Sequence, residues 1–207
     1  MNLRFEEEQK RERRIQIVKA SIRFLIEAII VIFLAWLIVT FALKKVSMIG
    51  SSMETTLYNG EDVIVNKSSY LIFSPRHNQI IAFYPEVEEG EDDSDRDDTT
   101  IQIRRVVGLP GEKIMIKDGK LYVDGEEQKE KYDFEPMYSA GRAVSEITLE
   151  ENEYFVLSDN RNDMDDSRNN SFTKVRKENI IGKVILRLSP FSLLGGPEKK
   201  EETKNEE

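Results

Sequence analysis

The sequence predicts a mostly β domain that follows a single N-terminal membrane helix. Three observations support this: an apolar run at 24–43 with one ionisable side chain, Glu27, a series of short strand-like segments, and two Asp-Gly dipeptides among those segments. Roughly 20 apolar residues cross a bilayer as a helix, and Asp-Gly favours the positive φ angles of tight hairpins. A chain of 207 residues has room for this anchor and one domain.

The basic leader predicts the direction of the membrane helix. Residues 1–23 carry seven Lys or Arg and four acids, whereas only Lys44 and Lys45 follow the apolar run directly. The positive-inside rule therefore places the N-terminus in the cytoplasm and the domain at 44–197 outside it.

The apolar run is interpreted as an uncleaved anchor. Its basic leader is long, and no small-residue cleavage pattern follows Leu43, so a cleaved secretory signal is disfavoured. Glu27 lies within a turn of Arg23 near the cytoplasmic end. We expect it to pair or to snorkel rather than to act inside the membrane.

Alternation of apolar and polar residues predicts seven strands in the outer domain. They lie at 62–66, 79–84, 101–107, 113–117, 120–123, 154–157 and 183–188. Asp118-Gly119 separates two of these strands and Asp124-Gly125 closes the second, as two-residue hairpin turns do. The outer domain has no long amphipathic helix pattern and no internal repeat, so it is predicted to be mostly β.

Most of the net charge of −9 lies in one segment. Residues 86–98 contain nine acids and one Arg, and they interrupt two predicted strands. We interpret them as a solvated acidic loop inserted in the domain, because they lack the Gly and Glu spacing of a calcium loop. Residues 198–207 are predicted to be a charged, disordered tail.

The composition excludes several kinds of chemistry. The chain has one His, His77, and no Cys, so disulfides, thiolate nucleophiles and Cys-ligated metals are excluded. A single imidazole also excludes metal sites that need two or three His ligands from one chain. We expect no metal and no cofactor, and the acidic balance argues against nucleic acid as a partner.

Three short segments carry the candidate chemistry. They are GSSMETTL at 50–57, RRVVGLPGE at 104–112 and SDNRNDMDDSR at 158–168. Each alone could be an ordinary turn. In this order behind one anchor they resemble type I signal peptidase, whose patterns are GxSMxPTL, KRxxGLPGD and GDNRxxSxDSR. The resemblance extends from the anchor to about Pro190.

The resemblance implies a serine endopeptidase with a Ser-Lys dyad on a mostly β fold. This family removes signal peptides from exported precursors at the outer surface of the bacterial plasma membrane, so the implied partners are signal peptides and membrane lipid. Ser52 would be the nucleophile. Its backbone N–H would stabilise the oxyanion, while Gly50, two residues earlier, has no hydroxyl to add as a second donor.

Further residues would support this site. Asp159 is expected to pair with Arg105, and Asp166 with Arg168, which would hold the motifs in register. Peptide would bind by β-addition beside Ser52. The supporting positions on this reading are Met53, Arg105, Asp159, Arg161, Met164, Asp166, Ser167 and Arg168.

Two departures from the family pattern affect the dyad itself. Arg104 stands where the family has its Lys base, and Met164 stands where the family has the Ser that hydrogen-bonds the Lys amine. A guanidinium has a pKa of about 12.5 to 13.8, so presenting it neutral at pH 7 would cost roughly 7 to 9 kcal/mol. Other departures are Thr55 for Pro, Ser158 for Gly and Gln79 for an acid.

These departures leave three hypotheses. The chain is a working peptidase with an unusual or displaced base, or an inactive homologue that binds signal-peptide-like or secreted-protein segments, or an unrelated anchored β domain. His77, with a suitable ordinary pKa, and Lys67, in a segment of structural character in the family, are the alternative bases. The missing Lys argues for impaired or absent turnover.

Overall fold

The computed structural model of the chain describes residues 2–85, 100–130, 132, 134–172 and 174–194. The predicted acidic loop at 86–98 and the predicted tail at 198–207 lie outside these residues. The chain divides into an N-terminal unit, Met1–Ala42, and a second unit that begins at Leu43.

Helix α1 occupies nearly all of the first unit, from Asn2 to Ala42. Within the described part of the chain it is the one helix long and apolar enough to cross a membrane, over Arg13–Ala42. It contains no Gly or Pro, the two residues that disfavour a helix interior most strongly. Glu27 accepts a hydrogen bond from Arg23 Nε at 2.9 Å, the pairing that the sequence predicted.

Helix α1 ends at Ala42, one residue before the predicted end of the anchor at Leu43, and it includes residues 2–23 of the predicted basic leader. Leu43 already pairs with Asn66 in the sheet, so its backbone leaves the helix. The leader consists largely of Glu, Arg and Lys, which favour helix.

The second unit is mostly β, as predicted. Its described residues form twelve strands: β1 (Leu43–Ser47), β2 (Asp62–Asn66), β3 (Ile80–Phe83), β4 (Gln102–Gly108), β5 (Lys113–Lys117), β6 (Lys120–Val123), β7 (Glu126–Glu127), β8 (Ile147–Thr148), β9 (Glu153–Leu157), β10 (Val175–Arg176), β11 (Ile180–Leu188) and β12 (Phe191–Leu193). The larger sheet has the order β1-β2-β11-β3-β4-β9-β10, with β12 also paired to β11, and the smaller has the order β7-β6-β5-β8. All pairs are antiparallel.

The seven predicted strands are all present, with ends shifted by up to three residues. Sequence patterns did not identify β1, β7, β8, β10, β12 or the short helix α2, Ser69–Ile72. Four of the five missed strands have only two or three residues, too few to display a period, and β1 directly follows the apolar run.

Both Asp-Gly dipeptides form the predicted hairpin turns. Asp118 and Gly119 have φ angles of 53° and 74° between β5 and β6, and Asp124 and Gly125 have 52° and 81° between β6 and β7. Positive φ at both central residues suits the twist of paired strands.

Strand β4 lies inside the larger sheet and is buried from Ile103 to Gly108. It pairs with β3 on one side and with β9 on the other. Two adjacent residues of this buried strand, Arg104 and Arg105, are only 2% and 1% exposed. Because buried charges require compensation, these two side chains determine how the surrounding loops must fold.

Replacing Gly182 by Ala tests the close approach of β11 to β2 within the larger sheet. A Cβ at Gly182 would lie 2.3 Å from the carbonyl oxygen of Asn66, closer than real Cβ contacts. We expect Gly182→Ala to lower the free energy of unfolding by about 1 to 3 kcal/mol, the range for overpacking a core. Thermal or denaturant unfolding measures the change.

Lys117→Ala is the control for this experiment. Lys117 is an exposed strand residue, so its replacement should change stability by no more than about 0.5 kcal/mol. Equal stability of the Gly182→Ala variant and the control would contradict the close approach of β11 to β2.

Candidate active site

Ser52 lies in a tight turn that follows β1. Met53 and Leu57, neighbours in the same turn, are completely buried and anchor it in the core. The N–H of Leu57 donates to the carbonyl of Met53 at 2.8 Å, which closes the turn. Ser52 itself is only 3% exposed.

The side-chain hydroxyl and the backbone N–H of Ser52 make no described hydrogen bond, unlike the polar groups around them. Its Oγ is buried and has no hydrogen-bond partner in the described part of the protein. Its backbone N–H likewise has no described acceptor, whereas the N–H of Gly50 donates to Asn59 Oδ1 at 3.0 Å. Of the two residues considered for the oxyanion, Ser52 alone therefore offers an uncommitted backbone donor.

Thr55 holds an unusual backbone conformation within this turn, with a φ angle of 81°. A β-branched residue rarely adopts positive φ, and such strain is of order 1 to 3 kcal/mol. A proline has φ near −65°, so the Pro of the family pattern does not fit this conformation.

Arg105 joins the second motif to the third and to the turn. Its Nε and Nη2 donate to the two carboxylate oxygens of Asp159 at 2.7 and 2.6 Å. Thr56 Oγ1 donates to Asp159 as well, at 2.5 Å, and Arg105 Nη1 donates to the carbonyl of Asn78 at 2.9 Å. Burial disfavours the charged form of Arg105, but the bonds and charge of Asp159 outweigh this effect and raise its pKa.

Arg104 points toward the third motif instead. Its Nε donates to the carbonyl oxygen of Asp165 at 2.6 Å, and its Nη2 donates to the Asp165 carboxylate. Nη1 donates to the carbonyl oxygen of Ile103 at 2.7 Å. All three guanidinium nitrogens are thus occupied as donors, and none is available to accept a proton.

Burial lowers the pKa of Arg104, and the carboxylates of Asp165, Asp166 and Asp163 oppose this effect. An arginine nonetheless stays protonated in proteins. The position implied for the general base therefore holds a permanently charged cation, each of whose three nitrogens donates a hydrogen bond.

The loop of the third motif is built around a second ion pair. Arg168 Nε and Nη2 donate to Asp166 at 2.9 and 2.7 Å, and both side chains are completely buried. Arg168 also donates to the carbonyl oxygens of Arg161 and Asp163, both at 2.7 Å. Both ion pairs expected from the sequence, Arg105 with Asp159 and Arg168 with Asp166, are present.

Backbone contacts fix this loop against its neighbours. Ser158 N–H donates to Asp166 at 3.0 Å, and the N–H of Val156 donates to Ser167 Oγ at 3.0 Å. The N–H of Asn160 donates to the carbonyl of Ser52 at 3.0 Å. The three motifs of the sequence therefore meet at one site.

Arg161 is covered by a segment that sequence reasoning did not identify. Glu130 pairs with its guanidinium, and the Phe134 ring centroid lies 3.9 Å from it. Tyr132 lies 4.4 Å from the guanidinium of Arg105 in the same way. Glu130, Tyr132 and Phe134 shield two buried cations of the site from water.

The alternative bases are not in contact with Ser52. His77 Nε2 lies 2.8 Å from Glu112 Oε1, and its Nδ1 lies 3.1 Å from the carbonyl oxygen of Val107. Lys67 lies in the connection between β2 and α2 and makes no described bond to Ser52. Met164, half-buried, has no hydroxyl with which to orient a base. In this structure the His77 ring therefore bonds to Val107 and Glu112 and not to Ser52.

Several residues of the site were not predicted from the sequence. Asp165, the partner of Arg104, occupies a variable position of the third motif, and Thr56 and Asn160 sit within motifs but have no chemical role in them. Glu130, Tyr132 and Phe134 lie outside every motif. Only their alternation of an acid and aromatics before the third motif could have drawn attention to them.

A cleft of about 300 Å³ adjoins Arg104. Met48 and Ile49 line one part of it, Gln102 and Ile103 another, and Asp165 lies beside Arg104. Within the described residues, no group of three or more acidic or His side chains is arranged to hold a metal ion.

Comparison with known proteins shows the family of the chain. The sequence model of the family described as signal peptidase, peptidase S26, matches residues 21–189. The chain is 37% identical to signal peptidase I of Bacillus caldolyticus over 153 residues, which are 69% of this chain and 77% of that protein. It is 32% identical to probable signal peptidase I-1 of Synechocystis sp. over 181 residues, which are 87% of each.

Two further similarities involve other bacteria. Signal peptidase IB of Staphylococcus aureus is 27% identical over 202 residues, covering 90% of this chain and 99% of that protein. The crystal structure of a signal peptidase I from Enterococcus faecalis V583 is similar with a TM-score of 0.40 and 29% identity, over 54% of this chain and 97% of that one. The family match and the Synechocystis relative together cover most of the chain, which therefore belongs to the signal peptidase family, peptidase S26.

Proposed function

We propose that this protein is a membrane-anchored signal peptidase homologue that binds the signal-peptide segments of exported precursors without cleaving them. The observation that carries the proposal is the bonding of Arg104. Its guanidinium donates to Asp165 and Ile103, while the Oγ of Ser52 has no described partner. A serine hydroxyl is a weak nucleophile unless an adjacent base takes its proton.

The backbone around the cleft supports peptide binding. β4 pairs with β9 only from Arg105 onward, so its residues Gln102 to Arg104 have a described strand partner on the β3 side alone. An extended peptide can add to such an unpaired edge, with alternate side chains entering the cleft. Arg104 donates to the carbonyl oxygen of Ile103, one of the hydrogen-bond acceptors of this edge. That acceptor is then occupied, so a bound peptide has one fewer backbone hydrogen bond to make there.

The charge distribution supports a cytoplasmic N-terminus and an extracytoplasmic domain. Seven Lys or Arg precede the apolar run, and the β domain starts at Leu43, directly after α1. Under the positive-inside rule, the cleft then lies on the side of the membrane where exported precursors emerge.

Hydrolysis by Ser52 is the second candidate function. Its support is the retained serine with an uncommitted Oγ and N–H, because these are the two groups that a nucleophile and an oxyanion site require. This candidate needs a base from outside the residues that contact Ser52 in the structure.

A cleavage assay on the full-length protein in detergent distinguishes the two candidates. We expect no detectable cleavage of a signal-peptide substrate by the natural sequence. The double variant Arg104→Lys with Met164→Ser should cleave at least about 100-fold faster than any residual rate of the natural sequence, the lower range of general-base catalysis. The variant restores an amine base together with a hydroxyl that orients it.

Ser52→Ala is the matched control in both backgrounds. It should abolish cleavage by the double variant and leave peptide binding by the natural sequence unchanged, which fluorescence anisotropy of a labelled signal peptide measures. Cleavage by the natural sequence that disappears in Ser52→Ala would refute binding without turnover and favour the second candidate.

The pH profile of the double variant tests the base directly. A lysine base must be neutral, so kcat/KM should fall as the pH drops below the pKa of Lys at position 104. The carboxylate of Asp165 favours the charged form at this position. Adding Asp165→Asn should therefore move the fall in kcat/KM to lower pH. A profile that Asp165→Asn leaves unmoved would show that the new Lys does not act as the base.

A further inference from the structure

We propose that a pocket beside α2, lined by two cations and three serines, binds the phosphate headgroup of an anionic phospholipid while Leu71 and Phe73 enter the membrane interface. This inference rests on the proposed anchoring in a membrane. It concerns a surface separate from Ser52, whose turn contributes no residue to the pocket.

The pocket has the donors that a phosphate requires. Its volume is about 440 Å³, and its lining includes Ser68, Ser69, Arg76 and Lys183. The described lining residues include no carboxylate. Phosphate oxygens accept hydrogen bonds from hydroxyls, amides and cations, and charge-assisted bonds are the stronger ones.

Both cations of the pocket are available. Neither Arg76 nor Lys183 has an ion-pair partner among the residues that the structure describes. Basic side chains close to a bilayer are attracted to anionic lipid by about 1 kcal/mol each.

Two exposed apolar side chains, Leu71 and the pocket-lining Phe73, favour lipid over a soluble phosphate as the ligand. Leu71 is 82% exposed and Phe73 is 62% exposed, although both lie in a short segment between β2 and the buried strand β3. Exposed apolar residues that flank cations are typical of segments that lie in the membrane interface. A soluble anion would satisfy the cations but leave Leu71 and Phe73 in water.

The pairing of strands brings this pocket close to the point where the chain leaves α1. Leu43, one peptide bond after the last helical residue, pairs with Asn66. Asn66 also pairs with Lys183 and lines the pocket. Paired Cα atoms are about 4.5 to 5.5 Å apart, so the pocket begins one strand away from the exit of the apolar helix.

Spin labelling of the full chain tests the proposal. The natural sequence has no Cys, so Leu71→Cys gives a single labelling site. In vesicles of phosphatidylcholine with phosphatidylglycerol, we expect the label to lose accessibility to a water-soluble nickel complex and to gain accessibility to oxygen. Val144→Cys, at a position 71% exposed on a segment away from the pocket, should stay accessible to nickel.

The double variant Arg76→Gln with Lys183→Gln is introduced into the Leu71→Cys background. It should remove the effect of phosphatidylglycerol, and the label should then behave as it does in phosphatidylcholine alone. A label that stays accessible to nickel in vesicles with phosphatidylglycerol would overturn the proposal. A second result would also overturn it. If the label remains in water while inorganic phosphate raises the thermal stability of the protein, and the double variant loses this stabilisation, the pocket binds free phosphate and not lipid.

Failure of the proposed anchoring gives a different result. A chain that an alkaline carbonate wash releases from vesicles is not membrane-anchored, which would overturn both the anchoring and the lipid site. A chain that resists the wash while its Leu71→Cys label stays in water would overturn the lipid site alone.

Discussion

The arrangement of the site depends on how the protein compensates the buried charge of Arg104. This side chain lies in the middle of β4 and is only 3% exposed, so each of its nitrogens needs an acceptor within the protein. The third motif supplies two acceptors, the carbonyl and the carboxylate of Asp165, and Ile103 supplies another. The guanidinium therefore ties β4 to the loop 158–168 at the place where the family has an amine.

The surrounding framework remains that of a peptidase even though the base position differs. Arg105 bonds to Asp159 and Arg168 bonds to Asp166, with all four side chains nearly or completely buried. Removing one member of such a buried pair usually costs about 3 to 5 kcal/mol, because the other charge is left uncompensated. These pairs hold the turn of Ser52 beside the third motif whether or not the hydroxyl reacts.

Much of this arrangement could be predicted from sequence, and the rest depends on long-range contacts. Alternation in β2, β5 and β6 and the Asp-Gly turns are local signals, so those elements were predicted to the residue. The pairs of Arg105 and Arg168 followed from the motif resemblance. The partner of Arg104 could not be predicted, because Asp165 lies 61 residues away at a variable motif position. Glu130, Tyr132 and Phe134 were missed for the same physical reason, since folding rather than any local pattern brings them onto two buried arginines.

The central claim is that Ser52 lacks a base because Arg104 is held as a bonded cation. Acylation of Ser52 by an activated ester of a signal-type peptide, followed by intact-protein mass spectrometry, tests this most directly, since it measures nucleophilic attack without the later hydrolysis step. We expect no acyl adduct on the natural sequence and an adduct on the variant that carries Arg104→Lys and Met164→Ser. An adduct on the natural sequence that maps to Ser52 and disappears in Ser52→Ala would contradict it.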